Sequence, residues 1–201
     1  MRVKPKLSGG DCLGGLCFID VESTGLDAES SFIVGYGLMR LDGSWIHSFA
    51  KTVDDESKII VKLMNSVREY ECMVTWYGVG FDIPIVTARA VKNGIDPSPI
   101  LTINHIDLFI IFKTLFRLSK YDLDSVCKFL GIPKRVELKG SDMPPLYFKA
   151  LGGDSEALKL IEEHCYDDLQ GLRSIYLKVE SIVNKISGGF IDLSKWQFSF
   201  K

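Results

Sequence analysis

A hydrophobic run near the amino terminus closes on two acids that are separated by one residue. The run reads Leu16-Cys17-Phe18-Ile19-Asp20-Val21-Glu22, and three turn-forming residues follow it, Ser23, Thr24 and Gly25. Because side chains alternate across a β-strand, Asp20 and Glu22 leave this strand on the same face. Two neighbouring carboxylates repel each other unless a cation lies between them. The pattern predicts a strand that ends in a metal site, although acids also begin ordinary turns.

The composition predicts a globular protein with one domain. The chain has 201 residues, of which 46% are hydrophobic and 25% charged, as in ordinary folded proteins. We expect one domain over residues 1–201, with a core at about 16–186 and a carboxy-terminal tail at 187–201. The longest apolar stretch, 106–112, is far too short to span a membrane, so an intracellular, cytoplasmic location is expected. The five cysteines lack paired short spacings and are interpreted as small core residues.

The order of periodic segments predicts an α/β fold. After the first strand, two β-type runs flank Asp42-Gly43, a strong hairpin signal, so three antiparallel strands open the domain. Segments of helical and strand type then alternate, and this order predicts a mixed central sheet flanked by helices. The runs are 32–41 and 44–53 for the hairpin, 59–67 and 81–93 for helices, and 72–77 and 101–106 for strands.

Helices dominate the second half of the chain. Short helices are predicted at 108–116 and 123–130, and Met143-Pro144-Pro145 is expected in a connecting loop. A long helix follows, and Asp168 fills the one gap in its apolar stripe. Gly188-Gly189 is expected to end this helix, and the tail beyond, which carries Trp196, Phe198 and Phe200, is expected to add a strand or to stay mobile.

Charge is unevenly distributed along the chain. The net charge is −2, but residues 113–139 contain seven basic and three acidic residues. A solvated helical face is the commoner reason for such a patch, and contact with nucleic acid is the alternative.

Two later segments carry further acids. Asp82 follows a glycine-rich turn at the start of a helix, where an acid often acts as a cap. His164 and Asp168 are four residues apart on the last helix, so they lie on one face, although a lone histidine usually has no special role. An unpaired carboxylate on an apolar stripe needs a cation or a hydrogen-bond donor.

Taken in order, these segments resemble the three exonuclease motifs of the DEDD superfamily. The motifs are Phe18 to Leu26, Phe81-Asp82-Ile83-Pro84 and His164 to Leu172, and the resemblance runs from about Leu16 to Leu177. It is closest to the exonuclease domains of family B DNA polymerases. The resemblance implies a ribonuclease H-like fold, with three antiparallel strands followed by parallel strands, and 3′-to-5′ removal of nucleotides.

The resemblance also implies roles for individual residues. Asp20, Glu22, Asp82 and Asp168 correspond to the carriers of two divalent cations, and oxygen ligands favour Mg²⁺ or Mn²⁺. His164 corresponds to the group that orients or deprotonates the attacking water. The candidate substrate contacts are Thr24, Gly25, Leu26, Trp76, Tyr77 and Phe81.

Two positions depart from the family pattern. The family places a tyrosine four residues, or a histidine five residues, before the last Asp, whereas this chain has His164 at the four-residue spacing. Tyr77 replaces a common asparagine, and it either stacks on a terminal base or packs in the core. Asp107 resembles an additional family acid, but a helix cap is the favoured interpretation. Asp167 is expected to face solvent.

The leading hypothesis is therefore a metal-dependent exonuclease acting on 3′ ends of single-stranded DNA or RNA. A catalytically silent nucleic-acid-binding accessory module of the same fold is the alternative. A scaffold with incidental acids would require three coincidences in the right order.

Overall fold

The sheet has five strands in the order β3-β2-β1-β4-β5. The computed structural model describes residues 15–136, 138 and 142–187. β1 pairs antiparallel with β2, and β2 pairs antiparallel with β3, while β4 is parallel to both β1 and β5. The strands are β1 (Leu16–Ser23), β2 (Ile33–Arg40), β3 (Trp45–Phe49), β4 (Cys72–Thr75) and β5 (Asn104–Asp107). The predicted mixed sheet is confirmed.

Helices cover both faces of this sheet. They are α1 (Glu56–Val67), α2 (Asp82–Lys92), α3 (Ser98–Thr102), α4 (Leu108–Leu115), α5 (Leu123–Phe129), α6 (Met143–Leu151) and α7 (Ser155–Ser187), with a short 3₁₀ helix at Val53–Asp55 before α1. None of the helices in these described ranges combines the length and apolar character that crossing a membrane requires.

The alternation of β1 assigns each of its side chains to one of two cores. Cys17, Ile19 and Val21 pack with residues of α1, α2 and α3. Phe18 points the other way, into a core built by α4, α5 and α7, and its ring meets the Tyr176 ring of α7 at a centroid distance of 5.5 Å. Residues of the same parity as Phe18 therefore leave β1 on the face that α7 covers.

The predicted hairpin between β2 and β3 is confirmed. Gly43 has φ of 89°, a backbone conformation that glycine adopts without strain, and Asp42 Oδ1 accepts a hydrogen bond from Ser44 N at 2.8 Å. Gly37 of β2 lies opposite Asp20 and directly under α7. A Cβ atom at Gly37 would lie 2.5 Å from Leu169 Cδ1, so glycine permits the close approach of α7 to the sheet.

Two element predictions were wrong. Residues Leu101 and Thr102 belong to α3, and β5 begins only at Asn104. Met143-Pro144-Pro145 opens α6 instead of lying in a loop, because proline fits the first turn of a helix, where its missing N–H has no intrahelical partner. The tail with Trp196, Phe198 and Phe200, which was expected to add a strand or to stay mobile, lies outside the described residues, as does the predicted helix stop at Gly188-Gly189.

A buried ion pair connects α1, α2 and the start of β2. Arg89 of α2 donates to Glu56 of α1 through Nε at 2.8 Å and through Nη2 at 2.6 Å, and the two side chains are only 6% and 8% exposed. Glu56 also accepts from Ile33 N at 2.8 Å, and Arg89 Nη1 donates to Ala28 O at 2.9 Å. Although burial would raise the pKa of Glu56, these hydrogen bonds hold it below its usual value.

Candidate active site

The two acids of β1 meet on the face that α7 covers. One carboxylate oxygen from Asp20, one from Glu22 and Sγ of Cys165 lie within 4.8 Å of one another. Cys165 is fully buried, as its interpretation as a core cysteine predicts, and its Sγ lies within 4.8 Å of a carboxylate oxygen of Asp20. Hard carboxylate oxygens at this spacing suit a divalent cation.

The electrostatics around Asp20 show how closely the acids gather. Burial, followed by the charge of Asp168, raises the pKa of Asp20 to about 6. His164, the Cys165 thiol and Lys134 act in the opposite direction. Because Asp168 belongs to α7 and Asp20 to β1, this coupling places the first and third sequence motifs side by side.

Glu22 is more deeply enclosed than Asp20. It is 7% exposed, and burial first and the charge of Asp20 second raise its pKa well above the usual value. The hydroxyl of Tyr147, from α6, donates a hydrogen bond to Glu22 Oε2. This contact was not foreseen, because the segment around Tyr147 was expected to follow a loop.

Asp82 reaches from α2 back to the first strand. Its Oδ1 accepts a hydrogen bond from Val21 N at 3.1 Å, and the side chain is 6% exposed. The helix cap position is occupied by Phe81, so Asp82 lies in the first turn and connects to β1. Burial, followed by the charge of Asp20, raises the pKa of Asp82 well above its usual value. The second motif therefore joins the same acidic group.

His164 and Asp168 lie together on α7, as their spacing predicts. His164 Nε2 is 3.7 Å from Asp168 Oδ2, and the two side chains are 16% and 20% exposed. His164 Nδ1 is buried and has no hydrogen-bond partner among the described residues. Leu169, which is fully buried, continues the apolar stripe of α7 instead of Asp168. Asp168 therefore stands at the edge of the stripe, beside the other acids.

Lys134 provides the site with a cation that lies outside the three sequence motifs. Its ammonium forms an ion pair with Asp168 and lies 3.4 Å from Asp124 Oδ1 and 3.7 Å from Asp167 Oδ2. Burial would lower the pKa of Lys134, but these carboxylates, Asp168 foremost, raise it above its usual value. The side chain is 13% exposed, so the solvated-face interpretation of the basic segment is wrong at this position.

The prediction that Asp167 faces solvent was also wrong. Asp167 is 6% exposed, and its Oδ2 accepts hydrogen bonds from Arg135 N at 2.9 Å and from Val136 N at 3.2 Å. Helical periodicity could not show this, because the two backbone donors to Asp167 lie in the segment after α5. That segment carries Lys134, so Asp167 helps to hold the lysine at the site.

The turn after β4 presents Tyr77 in an unusual backbone conformation. Tyr77 has φ of 64°, its side chain is 43% exposed, and its ring meets that of Phe109 at 4.7 Å. Asp107 occupies the cap position of α4, as expected, yet its carboxylate accepts from Tyr77 N at 3.0 Å and from Val79 N at 3.1 Å. A Cβ atom on Gly80 would lie 2.2 Å from Tyr77 Cζ, so glycine leaves room for the ring.

The remaining candidate substrate contacts divide into exposed and structural residues. Leu26 is 81% exposed beside the end of β1, whereas Thr24 is 8% exposed and its Oγ1 accepts from Phe32 N at 3.2 Å. A Cβ atom on Gly25 would lie 2.7 Å from Ser31 Oγ. Trp76 donates from Nε1 to Tyr121 O at 3.1 Å and packs against the core built by α4, α5 and α7. Phe81 packs against the core on the other face of the sheet, which includes residues of α1, α2 and α3. Leu26 and Tyr77 are thus the members of the set best exposed for contact.

Comparison with known proteins identifies the class. A family model described as RNase_H superfamily (RNase_H_2) matches residues 17–180, and the chain belongs to this superfamily.

Particular relatives are DNA polymerases. A DNA polymerase of Methanocaldococcus jannaschii is 32% identical over 108 residues, which cover 44% of this chain and 7% of that protein. DNA polymerase 1 of Sulfolobus acidocaldarius is 32% identical over 115 residues, which cover 47% of this chain and 13% of that protein. The chain therefore matches only a small part of each relative's length.

A solved structure shares the fold. The family B DNA polymerase of Pyrobaculum calidifontis superimposes with a TM-score of 0.75 at 18% identity, covering 86% of this chain and 25% of the polymerase chain. Together, the matches confirm the predicted resemblance to DNA polymerases and the RNase H-like class, and the family B polymerase structure shares the fold.

Proposed function

We propose that the chain is a metal-dependent 3′-to-5′ exonuclease that hydrolyses phosphodiester bonds at the 3′ end of single-stranded DNA or RNA. The observation that carries this proposal is the convergence of acids from three elements. Asp20 and Glu22 of β1 lie beside Asp82 of α2 and Asp168 of α7, and the pKa values of the first three are raised by their neighbours' charges as well as by burial.

These four acids form a donor set that fits two divalent cations. Clustered carboxylates bind a proton or a cation to relieve their repulsion, and their hard oxygen atoms favour Mg²⁺ or Mn²⁺. When bound, such a pair of ions would supply charge stabilisation for phosphodiester cleavage. The ion pair with Lys134 neutralises the charge of Asp168.

Three further side chains are suited to contact the substrate or the attacking water. His164 is placed beside Asp168 with Nε2 at 3.7 Å from its carboxylate, which suits a group that takes a proton from water or orients it. Tyr77, held by Asp107, offers an aromatic face for a terminal base, and such stacking contributes about 1 to 3 kcal/mol. Leu26 offers an exposed apolar side chain at the same end of β1.

An oligonucleotide assay tests the proposal directly. Linear 5′-labelled DNA and RNA strands are expected to shorten stepwise with Mg²⁺ or Mn²⁺ and to remain intact with a chelator. A closed circular single strand should resist, since it has no 3′ end. Salt-sensitive binding of single strands without products in either metal would instead support the silent accessory module. Comparing matched DNA and RNA strands determines the preferred sugar.

Replacing His164 by alanine is expected to lower turnover by about 10²- to 10⁴-fold, the usual contribution of a general base. Mn²⁺ affinity should stay nearly constant, because the proposed ligands are carboxylates. His47→Ala is the matched control, since His47 is exposed on the edge strand β3 and stacks on Trp45 at 4.2 Å. Unchanged turnover in His164→Ala would assign His164 a purely structural role.

A further inference from the structure

Helix α6 places a tyrosine hydroxyl against one of the two acids of β1. Tyr147 is 4% exposed, and its hydroxyl donates to Glu22 Oε2 across a sequence separation of 125 residues. None of the three motifs includes α6, so neither their spacing nor the strand alternation indicates this contact.

The surrounding packing fixes the position of the phenol ring. Tyr147 belongs to a small apolar cluster formed by α6, α7 and β2, whose other buried members are Val34, Met143, Ala150, Ala157 and Ile161. Because both ends of this contact are buried, neither group has alternative partners in water, and the ring has little freedom to leave Glu22. The hydrogen bond therefore restricts the orientation of the Glu22 carboxylate.

The chemistry of the phenol suits a carboxylate that must also bind a cation. A hydroxyl occupies one lone pair of Oε2 and leaves Oε1 and the remaining lone pairs of Glu22 for another partner. It is neutral, so it neither repels a cation nor takes its place. Asp168, in contrast, is held by the positive charge of Lys134.

We propose that Tyr147 is a positioning residue that holds Glu22 in the orientation required for binding a divalent cation. This inference rests on the proposed function, because it assumes that Glu22 is a metal ligand. Groups that orient metal ligands in this way typically change metal affinity by about 10- to 100-fold when they are removed.

The test is Tyr147→Phe, which removes one oxygen atom and keeps the ring in its apolar cluster. Mn²⁺ affinity, measured by the paramagnetic resonance signal of free Mn²⁺ and by calorimetry, is expected to fall about 10- to 100-fold. The Mg²⁺ concentration for half-maximal cleavage should rise by a similar factor, and most of the turnover should return at saturating Mg²⁺. Equal Mn²⁺ affinity and equal Mg²⁺ dependence in the variant and the parent protein would overturn the inference.

Tyr36→Phe is the matched control. Tyr36 is 3% exposed and packs in the core that includes residues of α1, α2 and α3, and its hydroxyl lies 3.3 Å from Ser66 Oγ. The substitution therefore removes the same hydroxyl oxygen from another buried tyrosine. Its Mn²⁺ affinity should equal that of the parent. A loss of affinity in both variants would indicate a general loss of packing and would overturn a specific role for Tyr147.

A double-mutant cycle with Glu22→Gln separates this inference from the proposed function. If Tyr147 acts through Glu22, adding Tyr147→Phe to Glu22→Gln should lower Mn²⁺ affinity no further, whereas equal losses in both backgrounds would overturn the inference. If the parent protein binds Mn²⁺ at this site but does not cleave, only the proposed exonuclease activity is overturned. The Mn²⁺ affinities of Tyr147→Phe and the parent would still decide the role of Tyr147. A parent protein that binds no Mn²⁺ would overturn both.

Discussion

Exchanging Asp20 for asparagine is expected to lower exonuclease turnover by about 10³-fold or more, since bound metal ions contribute several kcal/mol to transition-state stabilisation. Asp20 interacts electrostatically with Glu22, Asp82 and Asp168, as Glu22 also does with the other three acids, so its charge takes part in the proposed binding of cations. The amide has nearly the same shape but carries no charge. The measurement is single-turnover cleavage of a 5′-labelled strand at saturating Mg²⁺, and turnover within a few fold of the parent would refute the assignment.

The stability of this variant provides its control. The pKa of Asp20 in the folded protein is raised from 3.8 to about 6, so the folded state binds a proton more tightly than the unfolded state. In chelator, the ionised Asp20 therefore destabilises the fold above pH 6, and this effect disappears as the pH falls towards 4. Asp20→Asn should raise the metal-free melting temperature at pH 7.5, and its advantage should shrink on acidification. A higher melting temperature would show that lost turnover does not come from unfolding.

Replacing Arg89 by methionine is expected to lower the free energy of unfolding by about 3 to 5 kcal/mol, the usual effect of breaking a buried ion pair. The substitution leaves the Glu56 carboxylate buried without its cation, and it removes the hydrogen bond from Arg89 Nη1 to Ala28 O. The measurement is urea denaturation at pH 7 with an unchanged m-value.

Lys58→Met is the matched control for the Arg89 variant. Lys58 pairs with Asp55 at 3.0 Å, but its side chain is 73% exposed, so its removal should change the free energy of unfolding by less than about 1 kcal/mol. Similar losses of unfolding free energy in the two variants would contradict the view that burial makes the Glu56 and Arg89 pair more stabilising than an exposed pair.

The sequence best predicted the relative placement of residues within a single strand, helix or turn. The shared face of Asp20 and Glu22 follows from strand alternation, and the proximity of His164 to Asp168 follows from helical spacing. The hairpin at Asp42-Gly43 was also predicted, because its turn chemistry is local. The start of α6 was missed because two consecutive prolines indicate a loop by composition, although the first turn of a helix accepts them.

Contacts between distant elements could not be predicted in the same way. Asp167 was assigned to solvent because the motif makes its neighbour Asp168 the ligand, but the segment after α5 supplies two backbone N–H donors to Asp167. Taken alone, Asp82 at the start of a helix suggested a cap, whereas the resemblance made it a metal ligand; its carboxylate accepts from Val21 N on β1. In both cases the side chain bonds to a partner far away in the chain.

The sequence by itself therefore determined the class of fold, the order of the motifs and the acids that share a face. Only the tertiary structure decided the neighbours of the four acids, which are Cys165 Sγ for Asp20, the Tyr147 hydroxyl for Glu22, Val21 N for Asp82 and the Lys134 ammonium for Asp168. The physical reason is that alternation and helical spacing orient side chains relative to their own element. Which donor meets them depends on how α6, α7 and the segment after α5 pack on the sheet.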